Sequence, residues 1–446
     1  MTSALFPLPL TPFERYYLAD DRPDYPTVFP IQLELDGRAE RATFDRALLA
    51  AISRHPLLAA KVVDTRGGPQ WVAAEPLIPT VDWAEEPTPI DHADGESIDL
   101  RRCAGLRVWV RVSQSSTRLV CEFHHAACDG IAGFQFLEDL LVQYALAAGD
   151  GVATPAPADG ERLRDRAEFD VGSAPRRWWS GLADLVVAAR VFGRILFRSC
   201  AVLEGPSRTK SPAPRQRFLG YEYIELDRQP TARLAEAARS RGMTVNDLLL
   251  ADMFTTLDDW RKKNNQRRDQ PLRVMVPVYV RSRAQQNIPA SNGIGFAFVA
   301  VPTSTVDDRR ALLLEVHEQM EQIKNWKLAL YFLGGLAAAG RVRPLIPWML
   351  NRRKPFATLV LSNLGRTFAR TPLPREDDLL LAGGMKLLRI TGVPPVRPLT
   401  QGSIAVVEYA GRTTIILRCD PQHFTADDTR VLLEMYAKRL QETLIP

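Results

Sequence analysis

The chain is poor in cysteine, with five residues among 446. The number of cysteines is odd, they are widely spread along the chain, and most have apolar neighbours. We therefore predict reduced, buried thiols in a cytoplasmic protein rather than a disulfide framework. The first ten residues, MTSALFPLPL, lack a basic region and are broken by prolines. We therefore do not expect a signal peptide there.

Three further signatures are missing. Arg190 and Arg194 interrupt the apolar stretch 176–203, which makes it a poor transmembrane span. Residues 292–296, NGIGF, lack the third glycine of a dinucleotide-binding fingerprint. The basic residues are scattered and form no known nucleic-acid module, so no nucleic-acid partner is expected. The net charge of +5 suits a phosphate-bearing co-substrate, an acidic carrier protein or an anionic membrane surface.

One polar cluster lies at a predicted strand-to-helix turn. Residues 118–123 alternate like a strand, and residues 131–146 have the apolar period of a helix. Between them are two histidines, an aspartate and a glycine: His124, His125, Asp129 and Gly130. Strand alternation places the two histidines on opposite faces, so only one of them points into a given cavity.

This set of side chains predicts proton transfer. A neutral imidazole takes a proton from a hydroxyl or an amine near neutral pH. Asp129 either orients a histidine or holds the loop by pairing with an arginine, and Gly130 permits a close backbone approach. No activated serine accompanies them, so the residues predict one general base and a nucleophile that arrives as substrate.

The string HHAACDG, residues 124–130, resembles the His-His-x-x-x-Asp-Gly signature at all seven positions. Chloramphenicol acetyltransferase-like enzymes, nonribosomal-peptide condensation domains, polyketide-associated acyltransferases and wax ester synthase/diacylglycerol acyltransferases share that signature. The resemblance implies that His125 deprotonates the acceptor as it attacks an acyl thioester. It also implies that Asp129 is structural and pairs with an arginine, and that His124 braces the loop.

Two other interpretations of the cluster stay open. Adjacent histidines in a turn are often hydrogen-bonded core residues. Cys121, His125, Cys128 and Asp129 are all potential metal ligands, but their spacing matches no common zinc pattern and no second Cys/His cluster closes a structural site. We therefore favour acyl transfer without a metal.

Further matches follow in the same order as in the family. Residues 276–281, VPVYVR, resemble the family strand that ends in an arginine, which implies that Arg281 is the partner of Asp129; from the residues alone, Arg281 is equally a solvent-exposed side chain. Residues 361–365, LSNLG, resemble the Ser-Asn-x-Gly crossing segment. A donor is needed for the charge that builds on the thioester oxygen, and our candidates are Asn363, Gln401 and Ser403.

Three departures from the family pattern indicate which members of the family the chain resembles most. The plant motif Asp-Phe-Gly-Trp-Gly is absent, Leu364-Gly365-Arg366 replaces the Pro-Gly-Pro of many wax ester synthases, and no carrier or adenylation segment is attached. The chain is closest in pattern to polyketide-associated acyltransferases and standalone condensation enzymes.

The order of elements predicts two similar α/β halves, since strand-turn-helix at 118–146 is repeated at 413–440. The resemblance implies two chloramphenicol-acetyltransferase-like α/β sandwich lobes in a V, with a tunnel between them. We predict an N-terminal lobe at 1–160, a linker with an apolar and basic helix at 161–215, and a C-terminal lobe at 216–446. Residues 75–99 are rich in Pro, Asp and Glu and are predicted as loop. The predicted helices are 41–54, 131–146, 230–240, one that opens at 244–247 and runs to about 260, and 425–440. The predicted strands are 29–35, 106–112, 117–123, 221–226, 272–280 and 413–419.

Two stretches combine apolar, aromatic and basic residues, 176–203 and 328–348, the latter followed by Arg352-Arg353-Lys354. Each has the composition of a membrane-interface helix or of a helix packed against the domains or lining an acyl tunnel. We favour the packed alternative and keep peripheral membrane contact as the other.

We expect a monomeric acyltransferase of lipid or natural-product biosynthesis. It transfers an acyl group from a thioester, acyl-coenzyme A or an acyl-phosphopantetheine carrier protein, to the hydroxyl of a small-molecule or lipid acceptor, without a bound cofactor. The alternatives are a free-standing condensation enzyme that forms amides and a non-catalytic binding protein that kept the fold.

Overall fold

The computed structural model describes residues 5–75, 79–91, 97–169, 193, 197–206, 220–281, 288–341 and 345–444. In chain order its strands are β1 Leu8–Pro9, β2 Val28–Asp36, β3 Ala60–Thr65, β4 Gly68–Ala73, β5 Val81–Glu85, β6 Leu106–Val112, β7 Ser116–His124, β8 Glu222–Leu226, β9 Leu272–Tyr279, β10 Ile294–Val301, β11 Leu359–Arg366, β12 Arg375–Glu376, β13 Leu379–Ala382, β14 Met385–Gly392, β15 Gly402–Tyr409 and β16 Arg412–Cys419. Its α-helices are α1 Pro12–Asp20, α2 Arg41–Arg54, α3 Gly130–Ala148, α4 Arg228–Ser240, α5 Val245–Lys263, α6 Thr303–Val306, α7 Arg309–Asn325, α8 Leu328–Ala339, α9 Leu345–Leu350 and α10 Ala426–Thr443.

The helices and strands predicted from the sequence pattern are confirmed to within a few residues. One prediction is wrong: residues 75–99 are not all loop, because β5 lies within them. β5 is an edge strand that pairs in parallel with β6, and the buried Arg111 of β6 binds Asp82 of β5 at 3.0 Å. The strand has only five residues, and its Asp82 and Glu85 are exposed, so its short pattern does not stand out from the polar stretch around it.

The chain forms two compact units. The first unit comprises Met1–Asp170, Arg281–Gly293 and Arg366–Gly392, and the second comprises Val171–Val280, Ile294–Gly365 and Val393–Pro446. Arg281, residues 288–293 and residues 366–392 thus pack with the first unit, whereas the sequence placed them in a continuous C-terminal lobe. Most of the predicted linker 161–215 lies outside the described residues, and the three-part division stays a prediction.

The first unit is built on a seven-stranded sheet in the order β12-β13-β14-β2-β7-β6-β5. Strands β1, β4 and β3 form a small second sheet. Helix α3 lies close to the large sheet because Gly133 has no side chain: a Cβ there would lie 3.0 Å from Ile31 and 3.2 Å from Phe29. The sheet and α3 therefore hold the β7-to-α3 turn from both sides.

The second unit is built on a six-stranded sheet in the order β10-β9-β11-β15-β16-β8. Its central helix α5 starts with a capping box between Thr244 and Asp247. Three carboxylates on this helix are fully buried, and two of them pair with arginine: Asp252 with Arg309, and Asp258 with Arg261. Buried charges of this kind persist only when paired, so these contacts fix α5 in the core.

Among the described residues, no helix combines the length and the apolar character that crossing a bilayer requires.

Candidate functional site

The His-His turn lies between the end of β7 at His124 and the start of α3 at Gly130. Asp129 is the N-cap of α3, and its Oδ1 accepts from the backbone N–H of Ala132 at 2.9 Å. The backbone N–H of His125 donates to the carbonyl of Thr27 at 2.8 Å, which extends the β2–β7 ladder by one residue. The turn is therefore held at both ends by regular structure.

His124 is fully buried. Its Nδ1 accepts from the N–H of Ala126 at 3.0 Å, so the ring proton is on Nε2. Nε2 lies 3.5 Å from both Oδ2 of Asp21 and Oγ1 of Thr27. Burial opposes ionisation of Asp21, but its bonds with His124 and Thr27 outweigh burial and hold the pKa of Asp21 below its ordinary value. His124 thus ties the turn to the residue that follows α1.

His125 is partly exposed and lies between two aromatic rings. Its imidazole stacks on Tyr17 of α1, with ring centroids 4.3 Å apart and planes at 6°. Phe29 of β2 contacts its other side at 4.7 Å and 50°. The Nδ1 atom is shielded from solvent. Two rigid elements therefore fix the orientation of the ring.

Helix α1, which carries Tyr17, is anchored by a buried ion pair. Glu14 and Arg166 are 1% and 4% exposed, and Arg166 donates to both carboxylate oxygens of Glu14 at 2.7 and 2.8 Å. The same carboxylate accepts from the indole of Trp71 at 3.0 Å and from the N–H of Thr11, with which it forms a capping box. This network sets the position of α1, and with it the ring under His125.

Asp129 points away from His125 and toward backbone N–H groups. Its Oδ2 accepts from the N–H of Gly293 at 2.6 Å. Burial raises the pKa of Asp129, although the charge of Arg281 and the bonds from Gly293 and Ala132 act in the opposite direction. Within the described residues, no hydrogen bond or salt bridge joins Asp129 directly to Arg281.

Arg281 nevertheless belongs to the same cluster. It is buried, and its Nη2 donates to Oγ of Ser291 at 2.6 Å and to the carbonyl of Asn292 at 3.2 Å. A Cβ on Gly293 would lie 2.7 Å from its Nε, so the guanidinium packs where only glycine fits. Arg281 thus supports the backbone that donates to Asp129. The exposed alternative considered for Arg281 is wrong, because the side chain is enclosed by the residues that follow it.

Residues 288–293 form hydrogen bonds that connect them to the turn and to α3. They are called the 288–293 segment below. Nδ2 of Asn292 donates to the carbonyls of both His125 and Ala126, at 2.9 and 3.1 Å. The N–H of Ala290 donates to Nδ1 of His55 at 2.9 Å, and Nε2 of that histidine lies 2.9 Å from Asp139 of α3. The segment is therefore an integral part of the site.

The three candidate oxyanion donors belong to the second unit. Oδ1 of Asn363 on β11 accepts from the N–H of Gly365 at 3.0 Å, which is a local turn bond. Gln401 and Ser403 are 4% and 1% exposed, immediately before and within β15. Within the described part of the chain, Oε1 of Gln401 and Oγ of Ser403 have no hydrogen-bond partner. Buried polar atoms of that kind are rare in folded proteins.

The described residues offer no group of three His, Cys, Asp or Glu side chains arranged to hold a metal ion. Cys121 and Cys128 are fully buried, and burial raises the pKa of both thiols. The thiolate form that metal binding requires is therefore disfavoured at both positions.

Sequence reasoning found His124, His125, Asp129, Gly130 and Arg281, which the structure gathers in the first unit. It missed Tyr17 and the Glu14–Arg166 pair. Nothing local in the sequence indicated that α1 lies against a histidine more than a hundred residues away.

Comparisons with known proteins bear on this site. The family model of the phthiocerol/phthiodiolone dimycocerosyl transferase C-terminus matches residues 216–376, less than half of the chain. Two uncharacterised proteins of Mycobacterium tuberculosis, from strains CDC 1551 / Oshkosh and H37Rv, are each 27% identical over 318 residues, which is 68% of this chain and 68% of each relative.

Solved structures cover nearly the whole chain. Polyketide synthase associated protein 5 from Mycobacterium tuberculosis has a TM-score of 0.65 at 16% identity, covering 99% of this chain and 98% of its own. The first condensation domain of the calcium-dependent antibiotic synthetase, in complex with a substrate analogue, has a TM-score of 0.69 at 18% identity, with 98% and 96% covered. A variant starter condensation domain of rhizomide synthetase, in complex with C8-CoA and Leu-SNAC, has a TM-score of 0.68 at 15% identity, with 99% and 95% covered. At these identities the similarity establishes the fold, and the predicted α/β fold of two chloramphenicol-acetyltransferase-like lobes is confirmed.

Proposed function

We propose an acyl-transfer reaction for this chain, which belongs by its fold to the superfamily of condensation domains and chloramphenicol-acetyltransferase-like acyltransferases. The matched family model is that of a dimycocerosyl transferase, and the solved relatives include condensation domains, so the comparisons support an acyl-transfer or condensation enzyme. The chain transfers an acyl group from a thioester to an acceptor hydroxyl.

The observation that carries the proposal is the position of His125. Its ring is partly exposed and is oriented by Tyr17 and Phe29, while its Nδ1 atom is shielded from solvent. We therefore assign the proton transfer to Nε2. A base held on rigid elements at a strand-to-helix turn meets the geometric demand of general base catalysis.

The reaction follows from one base and two substrates. Nε2 of His125 takes the proton of the acceptor hydroxyl as its oxygen attacks the thioester carbonyl. The C–S bond of the tetrahedral intermediate then breaks, and the thiol leaves with the proton that the imidazolium returns. The enzyme forms no covalent intermediate, which agrees with a site that holds a base and no activated nucleophile.

The other motif residues hold the base in place. Asp129 caps α3 and binds the N–H of Gly293, while Gly130 begins the helix. Arg281 acts on Asp129 through its charge and by packing on Gly293. Asp129 is thus a positioning residue in this proposal, as is the buried His124.

An oxyanion donor completes the proposal. Ser403 is the best supported of the three candidates, because its hydroxyl is buried and has no hydrogen-bond partner within the described residues. Asn363 is the least supported, because its side-chain oxygen already accepts a local bond. A single such donor contributes about 3 kcal/mol to transition-state stabilisation in enzymes of acyl transfer.

The donor is proposed to be acyl-coenzyme A or an acyl carrier protein. A related condensation domain was solved with C8-CoA, which supports coenzyme A. The same structure also holds Leu-SNAC, and that keeps an amine acceptor, and hence amide formation, as the second candidate.

The experiment is product analysis by mass spectrometry with a panel of acyl-coenzyme A donors and mixed alcohol and amine acceptors, repeated with carrier-bound donors. An ester product supports the proposal, and an amide product replaces it with the condensation alternative. No product with either donor class overturns acyl transfer and leaves a non-catalytic binding protein.

A further inference from the structure

The second unit carries an exposed group of aromatic and basic side chains. Phe197 is 69% exposed and Trp348 is 49% exposed. The guanidinium of Arg352 lies over both rings, 5.9 Å from the centroid of Phe197 and 5.4 Å from that of Trp348. Arg198 directly follows Phe197, Arg353 and Lys354 directly follow Arg352, and all three of these basic side chains are exposed. We define the aromatic-basic patch as Phe197, Arg198, Trp348, Arg352, Arg353 and Lys354.

The two chain segments that form this patch are tied together next to it. The buried Arg273 donates to the carbonyls of Arg198 and Phe356, at 3.0 and 3.3 Å. The hydroxyl of Thr358 donates to the carbonyl of Ala201 at 2.8 Å. The patch is thus held by interior contacts.

Three of the four basic residues of the patch lie in a stretch of the chain that has no acidic residue. No Asp or Glu occurs between residues 322 and 375. Within the described residues, none of the four basic side chains of the patch forms a salt bridge, whereas other arginines of this unit do, such as Arg261 and Arg268 with Asp258. The patch therefore presents cations that are available to an external anion.

The exposed rings differ from the apolar residues nearby. In α8, Phe332, Leu333 and Leu336 are buried, which confirms the packed interpretation for that helix. Trp348 and Phe197 instead leave their rings in water, which is unfavourable unless a partner covers them. The predicted stretch 176–203 lies mostly outside the described residues.

We propose that the aromatic-basic patch docks on an anionic lipid bilayer. Trp and Phe rings favour the headgroup region of a bilayer, and adjacent Lys and Arg side chains are attracted to anionic headgroups. Each basic residue near such a surface strengthens binding roughly fivefold. An acidic protein partner would explain the basic side chains of the patch, but it would not explain the two exposed rings beside them. This proposal does not depend on the acyl-transfer function.

The test is flotation of the 446-residue chain with two kinds of vesicle: phosphatidylcholine alone, and phosphatidylcholine with phosphatidylglycerol. Three variants accompany the wild type. Arg353→Glu/Lys354→Glu reverses two charges of the patch, and Phe197→Ala/Trp348→Ala removes the rings. The matched control is Arg233→Glu/Arg239→Glu, which makes the same change in net charge at exposed positions on α4. Thermal melts of every variant check the fold.

We expect the wild type to float with the anionic vesicles only, and less at high salt. Reversal of the two patch charges lowers the affinity by roughly 20-fold or more, and the control keeps it within about twofold. Removal of the rings lowers the affinity at unchanged charge. If Phe197→Ala/Trp348→Ala fails to fold, the comparison of Arg353→Glu/Lys354→Glu with the α4 control still tests the proposal.

Any one of three flotation results overturns the proposal: no flotation of the wild type with anionic vesicles, an equal loss in the α4 control, or full binding by a folded variant without the rings. Capture of an acidic acyl carrier protein without vesicle binding assigns the patch to a protein partner and also overturns it. Turnover of soluble substrates, measured on the same variants, reports the proposed acyl transfer separately.

Discussion

The imidazole of His125 lies flat on the phenol ring of Tyr17, with centroids 4.3 Å apart and planes within 6°. The two residues are far apart in sequence and belong to different elements, the β7-to-α3 turn and helix α1. The stacked face leaves the imidazole little freedom to rotate, which matters because small errors in the position of a base reduce the rate strongly.

Replacement of Tyr17 tests this stacking. We expect Tyr17→Leu to lower kcat about tenfold with little change in the KM of the donor, because the ring loses its flat support. Tyr17→Phe keeps the aromatic face and retains most of the activity. Steady-state kinetics of both variants is the measurement. Equal impairment of the two variants assigns the effect to the hydroxyl and contradicts the stacking role.

Asn292 is expected to be essential for the geometry of the turn. Asn292→Asp removes the amide group that donates to the carbonyls of His125 and Ala126 and places a carboxylate against them. We expect a loss of about 2–4 kcal/mol in the free energy of unfolding, with a parallel loss of activity. Urea denaturation measures the change in the free energy of unfolding. Asn325→Asp, at an exposed position, is the control and stays within about 0.5 kcal/mol of the wild type.

The Glu14–Arg166 pair is expected to behave as a buried ion pair. Arg166→Met leaves the carboxylate of Glu14 buried without its partner and destabilises the protein by roughly 3–5 kcal/mol. The double variant Glu14→Gln/Arg166→Met restores part of that loss, since no buried charge remains. Thermal melts of both single variants and the double variant form the cycle. A double variant as unstable as the sum of the two single variants contradicts the pairing.

Glu138 on α3 makes stability depend on pH. Burial raises the pKa of Glu138 from 4.5 to about 7, and the nearby Asp139 adds to it, while the N–H of Phe368 acts in the opposite direction. The folded state therefore keeps a proton that the unfolded state has released. This contribution is complete below pH 4.5 and is lost as the pH rises through about 7.

The corresponding variant is Glu138→Gln, which has no charge to lose. We expect the melting temperature of the wild type to fall between about pH 5 and about pH 8 by more than that of the variant. Glu236→Gln, at an exposed position of α4, should follow the wild type. Identical pH profiles for the wild type and Glu138→Gln would mean that the carboxyl is ionised throughout.

Much of the fold was predictable because its signals are local. The alternation of 118–123, the helical period of 131–146 and the seven matching motif positions all lie within one short stretch. The edge strand β5 was not predictable, because it is only five residues long and lies in a stretch rich in Pro, Asp and Glu. The return of residues 281–293 to the first unit was not predictable either, since it depends on bonds to His55, His125 and Asp129, which are set by the tertiary structure.

The residues of the candidate site likewise fall into those that the sequence predicts and those that only the structure reveals. His125 and Asp129 were identified from a motif whose residues are adjacent in sequence. Tyr17 and Arg166 carry no signal of their own: a tyrosine on an amphipathic helix and an arginine in a proline-rich stretch are ordinary surface residues by composition. Their function depends on which elements the fold brings together.

The most direct measurement is acyl turnover by the wild type and by His125→Ala, analysed by mass spectrometry with the same donors and acceptors. His423→Ala, which removes an exposed histidine, is the matched control. We expect a loss of roughly 10²–10⁴-fold in kcat for His125→Ala at an unchanged melting temperature, and no loss for the control. Turnover by His125→Ala at the wild-type rate would contradict the assignment of His125 as the base.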